Sequence, residues 1–326
     1  KEKYMPEINF FKPVEKELAL VESGLAENLD SSINIMKQAS VHLVRAGGKR
    51  LRPAFALLAA RFYGEDLEEV IPAAVALELI HMASLVHDDV IDNSSIRRGT
   101  ETVKSGWGNR VSIYAGNYVF ARSLSIISTY QRSDLIDVLA RASMKICEGE
   151  IIQMLSCYNV NLGLKNYLRR IERKTALLIS VSCELGAMIR NAPPQEILAL
   201  RNYGYYLGMG FQITDDILDI VADEQTLGKP TGSDIRQGVI TLPALYALRY
   251  DPNRKELADL LSSSEACANE AQRIIKLISD SDGIDYAYYV TQHFARKAQK
   301  QLDVLPDLPI KKTLFDIADF IIAREY

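Results

Sequence analysis

The sequence predicts an all-α fold, a single domain built from ten or more helices. Apolar residues recur at spacings of three and four along most of the chain, which is the periodicity of amphipathic helices. Strict alternation of apolar and polar residues is scarce, so strands are not expected. Glycine and proline pairs, such as Gly47-Gly48 and Pro193-Pro194, separate the periodic segments.

The predicted helical segments cover most of the chain. In chain order they are 54–63, 73–92, 111–130, 135–155, 166–189, 196–222, 241–250, 269–279, 286–304 and 312–323. Pro53 suits the start of the first segment, because a helix needs no N–H there. Segments 73–87 and 204–218 are apolar on nearly every face, as expected of central helices. No repeat or linker interrupts the chain, so we expect one domain over 1–326.

The composition narrows the class of protein. With 326 residues, 48% of them hydrophobic, the chain can bury a large core. A net charge of −4 argues against nucleic-acid binding, which needs an excess of Lys and Arg. The four cysteines form no CxxC pair, so free thiols are expected. The charged N-terminal stretch predicts no signal peptide, and no apolar run predicts a membrane span; we expect a soluble, cytoplasmic protein.

Two aspartate clusters end the two apolar segments. The first contains Asp88, Asp89 and Asp92, and the second contains Asp215, Asp216 and Asp219. In each, the first and last carboxylates are four residues apart and share one helix face. Carboxylates about 4 Å apart repel by about 4 kcal/mol at an effective dielectric constant of 20. Such clusters therefore favour binding of hard cations, and Mg²⁺ prefers a few carboxylates together with substrate phosphates.

A plainer interpretation is that each cluster is a solvated acidic helix end. One DDxxD motif alone is compatible with that, but two copies, each after a long apolar segment, favour a metal site. An EF-hand is excluded, because neither cluster has the loop glycine or the glutamate at position twelve.

Basic residues near these clusters suggest an anionic ligand. Lys49, Arg50 and Arg52 lie at a predicted helix N-terminus, where unpaired N–H groups also attract anions. Arg97 and Arg98 follow the first cluster closely, and Arg suits bidentate phosphate contacts. His81, two turns before Asp88, is compatible with either a core role or a phosphate contact; no second His or Cys nearby suggests zinc.

Five motifs in order resemble the trans-isoprenyl diphosphate synthases. They are GGKRLRP (47–53), LVHDDVIDNSSIRRG (85–99), KTA (174–176), FQITDDILD (211–219) and LGKPTGSD (227–234). The segments LELIHMASLVHDDVID and YLRRIERKTALLISVSCELGA are similar to the catalytic component of bacterial two-component hexaprenyl and heptaprenyl diphosphate synthases. The resemblance implies the isoprenoid synthase fold, with a central cavity between facing aspartate clusters.

The resemblance also assigns roles to residues. Mg²⁺ ligands would be Asp88, Asp92 and Asp215, with Asp89, Asp216 and Asp219 as partial ligands or supporting residues. Isopentenyl diphosphate contacts would be Lys49, Arg52, His81 and Arg98. Allylic diphosphate contacts, with the catalytic dipoles and cations, would be Arg97, Lys174, Thr175, Gln212 and Lys229. Val239 stands where the family often has a lysine, and Asn117 where aspartate is usual.

Product length and partner follow from the same resemblance. Small residues at Ala83 and Ser84, one turn before Asp88, would leave room for a product longer than C20. The subgroup implies a C30–C35 product for a quinone side chain, farnesyl diphosphate as primer, and a small non-catalytic subunit forming a heterodimer. Membrane contact would be at most transient.

Other interpretations remain open from the sequence. One is a homodimeric synthase making C40 or longer products, and another is a non-catalytic assembly subunit. A terpene cyclase is disfavoured, because such enzymes normally carry an Asn/Ser/Glu triad in place of the second aspartate cluster, and Asp215, Asp216 and Asp219 are all present here.

Overall fold

A computed structural model describes residues 10–97, 99–222 and 231–322. This part of the chain is almost entirely helical, which confirms the all-α class. Internal contacts divide the chain into two compact units. Unit 1 comprises Lys1–Leu139, Val181–Arg201 and Val304–Ile317; unit 2 comprises Ala140–Ser180, Asn202–Asp303 and Ala318–Tyr326. The single domain stays a prediction.

The α-helices of the described residues are bounded as follows, in chain order: α1 Glu15–Asn28, α2 Asn34–Arg45, α3 Leu51–Ala60, α4 Ile71–Ile91, α5 Val103–Ser128, α6 Ser133–Ser156, α7 Leu164–Ile171, α8 Leu177–Ile189, α9 Pro194–Val221, α10 Ser233–Arg236, α11 Leu242–Tyr250, α12 Arg254–Leu261, α13 Ser264–Asn269, α14 Ala271–Ser279, α15 Gly283–Gln301 and α16 Pro309–Ile322. Short 3-10 turns are Lys12–Val14, Arg61–Tyr63, Glu68–Val70 and Leu302–Val304. A π-helical turn, Glu172–Ala176, joins α7 to α8.

Helix α4 is the central helix of unit 1. Twelve of its side chains are buried, among them Ala73, Ala76 and Leu77. With its preceding turn it spans Glu68–Ile91, and its most apolar 18-residue window has a mean hydropathy of 1.7, enough by length and composition alone to cross a membrane. In the most apolar window, however, 67% of the residues are buried inside the protein. That burial is typical of a core helix.

Glycines let neighbouring helices approach closely in unit 1. A Cβ on Gly186 of α8 would lie 2.1 Å from the carbonyl oxygen of Ala56 on α3. A Cβ on Gly24 of α1 would lie 2.9 Å from a methyl group of Val75 on α4. Both contacts are too short for any larger residue, so these glycines set the helix spacing.

The core of unit 2 forms around the second half of α9. Ile213, Ile217 and Ile220 are buried there against Tyr167 of α7 and side chains of α11 to α15. Gly208 of α9 passes close to Ala176, since a Cβ on it would lie 2.5 Å from the Ala176 Cα. This packing fixes α9 against the π-helical turn.

Several features differ from the prediction. A hairpin of two-residue strands, β1 Ile96–Arg97 with β2 Thr100–Glu101, follows the first aspartate cluster. Helices α1, α2, α12 and α13 were not predicted, because each buries only one to three residues and therefore has a weak apolar pattern; α1 buries Val21 and Leu25. All four cysteines are free, as predicted, although Cys147 is exposed.

Candidate active site

The first aspartate cluster lies at the C-terminal end of α4, in unit 1. Asp88 and Asp89 belong to the last turn, and Asp92 caps the helix. The backbone N–H of Asp92 donates to the carbonyl of Asp88 at 2.7 Å, so the helical spacing holds as far as Asp92. Asp88 and Asp92, one turn apart on one face, are each partly exposed. They are the carboxylates of this cluster best placed to meet a hydrated cation.

Asp89 points in another direction and binds a residue of the protein. It is buried, and its Oδ1 accepts a hydrogen bond from Nε of Arg97 at 2.6 Å. Burial raises the pKa of the Asp89 carboxyl despite the opposing effect of Arg97. Asp89 therefore anchors Arg97 beside the cluster.

The hairpin that carries Arg97 is itself fixed. Thr102 donates through its hydroxyl to the Ser94 carbonyl at 2.9 Å and caps α5 by accepting from the Ser105 N–H at 3.2 Å. His42 of α2 bonds the Glu101 carbonyl at 2.5 Å and packs edge-on against Trp107. Arg98, predicted to contact isopentenyl diphosphate, lies outside the described residues.

The basic residues of the motif at 47–53 differ in how far their side chains are buried. Lys49 is exposed and Arg52 is partly exposed, just before and within the first turn of α3. Arg50 instead is buried, in a left-handed backbone conformation with φ of 48°. Its guanidinium pairs with Glu22 at 2.5 Å and with Glu78 at 3.1 Å. The expectation that three cations of this motif share an anion site is therefore corrected for Arg50, which is an internal ion-pair residue.

His81, Ala83 and Ser84 lie on α4, before the first cluster. His81 is partly exposed, and its carbonyl accepts a hydrogen bond from the Ser84 hydroxyl at 2.9 Å. Ala83 is buried with 2% of its surface exposed, while Ser84 is partly exposed. Of this pair, Ser84 is the more exposed, and the control of product length by either residue stays a prediction.

The second aspartate cluster lies in the last two turns of α9, in unit 2. Asp215 is partly exposed, whereas Asp216 and Asp219 are buried. Asp216 accepts from the Tyr167 hydroxyl at 2.8 Å and from Nε2 of Gln212 at 2.9 Å. Burial, then the nearby charge of Asp234, raise the pKa of the Asp216 carboxyl to about 7.

Asp219 is held by the segment that begins α10. One carboxylate oxygen accepts from the Ser233 hydroxyl at 2.8 Å, and the other from the Asp234 backbone N–H at 3.0 Å. Protein donors thus occupy the oxygens of Asp219, as they do those of Asp216. Asp215 is the carboxylate of this cluster that most resembles Asp88 and Asp92 in exposure.

Lys174 and Thr175 lie in the π-helical turn, which occurs often at functional sites. Nζ of Lys174 donates to Oε1 of Gln153 at 3.0 Å, and the Thr175 hydroxyl donates to Oε1 of Gln212 at 2.5 Å. The structure therefore joins Thr175, Gln212 and Asp216 in one network. Lys229 lies outside the described residues.

Tyr167 was not found by sequence reasoning. It lies in the amphipathic segment YLRRI, where a tyrosine on the apolar face looks like any core residue. Only the three-dimensional structure shows that its hydroxyl meets an aspartate 49 positions away.

The donor set fits a magnesium ion that also binds phosphate and water. Among the described residues, no three His, Cys, Asp or Glu side chains are gathered closely enough to hold a metal on their own. Mg²⁺ is usually bound by one or two carboxylates plus substrate phosphates, so pairs such as Asp88 and Asp92 are sufficient.

A separate cavity of about 570 Å³ in unit 2, lined by tyrosines including Tyr246 and Tyr286, has none of these aspartates in its wall.

An all-α fold with two aspartate clusters at helix ends, one of them paired with an arginine, is the arrangement expected of a prenyl-transfer enzyme. The sequence profile described as Polyprenyl synthetase matches residues 33–278, and the chain belongs to this family. It is therefore a prenyltransferase, as predicted, and the fold is that of the isoprenoid synthases.

Individual proteins are similar over nearly the whole chain. Heptaprenyl diphosphate synthase component 2 of Geobacillus stearothermophilus is 46% identical over 310 residues, covering 95% of this chain and 96% of that protein. The crystal structure of heptaprenyl diphosphate synthase from Staphylococcus aureus has a TM-score of 0.91 and 37% identity, covering 98% of this chain and 100% of that one.

A polyprenyl synthase from Caulobacter crescentus CB15, complexed with calcium and isoprenyl diphosphate, has a TM-score of 0.90 and 34% identity. The match covers 97% of each chain. That complex is consistent with the use of a divalent metal in this family.

Proposed function

We propose that the chain catalyses the Mg²⁺-dependent condensation of isopentenyl diphosphate with an allylic diphosphate, farnesyl diphosphate being the primer. The product is a trans-polyprenyl diphosphate of C30–C35, which is used for a quinone side chain. The enzyme acts in the cytoplasm. The 46% identity to a heptaprenyl diphosphate synthase component 2 over 95% of this chain supports the product class.

The observation that carries the proposal is that the aspartates within each cluster differ in burial and in hydrogen bonding. Buried Asp89, Asp216 and Asp219 accept hydrogen bonds from the protein itself. Asp88, Asp92 and Asp215 are the more exposed members, and these would hold Mg²⁺. The buried members hold Arg97, Gln212 and the start of α10 in place. Bound Mg²⁺ supplies positive charge to the diphosphate leaving group.

The cations around the clusters bind the substrates. Isopentenyl diphosphate is held by Lys49, Arg52, His81 and Arg98. The allylic diphosphate is held by Arg97, Lys174 and Lys229, while Thr175 and Gln212 turn oxygen dipoles toward the allylic carbons. Val239 removes one cation that related enzymes often have, which fits the two-component subgroup.

The reaction needs no protein nucleophile. Cations neutralise the departing diphosphate as the allylic C–O bond breaks, and the double bond of isopentenyl diphosphate then forms the new C–C bond to the allylic carbon. The proton lost from the adduct goes to the released diphosphate. The contribution of the protein is to orient the two substrates and to stabilise charge.

A partner subunit completes the proposal. The relative from Geobacillus stearothermophilus is named component 2, which implies a second component in that enzyme. We infer a small non-catalytic subunit that forms a heterodimer with this chain. Contact with a membrane is at most transient.

The test is a product assay with purified chain, Mg²⁺, labelled isopentenyl diphosphate and farnesyl diphosphate, with and without a component 1 type subunit. Chromatographic sizing should show C30–C35 products only with the partner present. Full activity of the lone chain with products of C40 or longer would instead favour a homodimeric long-chain synthase. No elongation under either condition would reject the proposed reaction.

A further inference from the structure

Tyr167 of α7 has a completely buried side chain in the core of unit 2. A phenol hydroxyl in such a place needs a hydrogen-bond partner, and Oδ2 of Asp216 provides it at 2.8 Å. One turn further along α7, the guanidinium of Arg170 lies 5.4 Å from the centre of the Tyr167 ring. Arg170 also donates to the Ile240 carbonyl at 2.8 Å. Ring and hydroxyl are therefore fixed on both sides.

The hydrogen bonds at Asp216 have a defined direction. The Tyr167 hydroxyl donates to Oδ2 of Asp216, and the amide Nε2 of Gln212, which can only donate, bonds to Oδ1. The amide of Gln212 is thereby oriented, and its Oε1 accepts from the Thr175 hydroxyl at 2.5 Å. The side chains form one chain of bonds, from Thr175 to Gln212 to Asp216, with Tyr167 as the second donor to Asp216.

The network connects Tyr167, which is not assigned to either substrate, to Gln212 and Thr175 of the proposed allylic site. Asp216 is buried, and losing one donor would leave a carboxylate oxygen unsatisfied in an apolar core. The carboxylate would then rotate away from its present position, and Gln212 would lose the geometry that orients it toward Thr175. Such supporting partners typically change metal affinity or activity by about 10- to 100-fold when mutated.

We propose that Tyr167 is a positioning residue for the second aspartate cluster, acting through Asp216 on Gln212 and Thr175. The inference rests on the proposed function, because it concerns how this cluster binds a magnesium diphosphate. It gives a role to a residue that contacts neither substrate nor metal.

The test compares two single hydroxyl deletions. Tyr167→Phe removes the donor to Asp216. Tyr203→Phe is the matched control, because Tyr203 of α9 is also a fully buried tyrosine. Calorimetry measures binding of Mg²⁺ with inorganic pyrophosphate to each protein, and circular dichroism checks the fold. Tyr167→Phe should weaken binding about 10-fold or more, and Tyr203→Phe less than twofold.

Kinetics separate positioning from a general loss of packing. Tyr167→Phe should lower kcat and raise the KM for the allylic diphosphate, with the KM for isopentenyl diphosphate unchanged. In a double-mutant cycle with Thr175→Val, the two effects should be less than additive, because both substitutions break the same chain of bonds.

The outcomes distinguish the two levels of the argument. If wild-type protein fails to bind Mg²⁺ with pyrophosphate, the proposed function loses its metal site. If wild-type protein binds and Tyr167→Phe binds equally well, the positioning role is wrong while the proposed function stands. Equal weakening by Tyr167→Phe and Tyr203→Phe would also overturn it, since any loss of a buried hydroxyl would then suffice.

Discussion

Arg50 is the centre of an ion-pair cluster in unit 1. It is 7% exposed, its partner Glu78 is 1% exposed, and Glu22 at the rim is 46% exposed. Within the described residues, Oε2 of Glu78 has no hydrogen-bond partner, so the Arg50 guanidinium is the main compensation for a buried carboxylate. The cluster ties α4 to α1 and to the segment that starts α3.

Arg50→Met should therefore destabilise the protein by about 3 to 5 kcal/mol, since it leaves the Glu78 charge buried and unpaired. Urea denaturation followed by circular dichroism measures the free energy of unfolding. Glu78→Gln added to Arg50→Met is the control and should restore part of the loss, because it removes the uncompensated charge. A loss below about 1 kcal/mol in the single variant would contradict the assignment.

The sequence could not separate Arg50 from Lys49 and Arg52. Its partners Glu22 and Glu78 each lie 28 residues away, in opposite directions along the chain, and no local pattern announces them. The aspartate clusters could be predicted, because their signal is entirely local. Tyr167 could not, for the same reason as Arg50: its role depends on one long-range contact.

Product length is tested at Ala83 and Ser84. Ser84→Phe should shorten the main product, because an aromatic ring one turn before Asp88 would block the expected path of the growing polyprenyl tail. Ala83→Phe should have the same effect but also disturb packing, since Ala83 is 2% exposed. Chromatographic sizing of the products checks both. Unchanged products from a folded, active Ser84→Phe variant would show that the growing polyprenyl tail does not pass Ser84.

At the scale of elements, close helix approach through glycine is an important feature of unit 1. Gly186→Ala should destabilise the protein by about 1 to 3 kcal/mol, since the new methyl group would collide with the Ala56 carbonyl. Gly106→Ala in α5 is the matched control: no atom lies within 4 Å of its Cβ position, so the change should be neutral or stabilising. Thermal unfolding measures both. Equal stability of the two variants would argue against the described packing of α8 on α3.

The helices themselves were largely predictable. The predicted segment 73–92 agrees closely with α4, and 196–222 with α9, because both carry a strong apolar pattern. The segment 166–189 was predicted as one helix, but the π-helical turn Glu172–Ala176 interrupts it. A π-helical turn holds one more residue than an α-helical turn, but no residue type marks its position. The apolar pattern alone therefore did not predict the interruption.

At the scale of the whole molecule, an exposed apolar stripe on α6 is a candidate surface for the partner subunit proposed above. Met144, Cys147, Ile151 and Leu155 recur at helical spacing, and Leu155 is 75% exposed. A row of this kind on one helix face is typical of a surface that binds another protein.

Leu155→Lys combined with Ile151→Lys should weaken partner binding at least tenfold, because charges would replace apolar contacts. Tyr289→Lys, which changes an exposed aromatic residue on α15, is the control and should leave binding unchanged; Tyr289 is 67% exposed, between Ile151 and Leu155. Affinity is measured by surface plasmon resonance with a component 1 type subunit. Equal affinity of the double variant and the control would place the partner on another surface.

The central claim is the proposal that the partly exposed carboxylates Asp88, Asp92 and Asp215 hold Mg²⁺ for the diphosphate. The most direct measurement is incorporation of labelled isopentenyl diphosphate by Asp88→Ala and Asp215→Ala, each checked for native circular dichroism. Both variants should lose activity by about 10²- to 10³-fold or more, because charge stabilisation of the leaving group is lost. Activity close to that of the wild type in either folded variant would contradict the account.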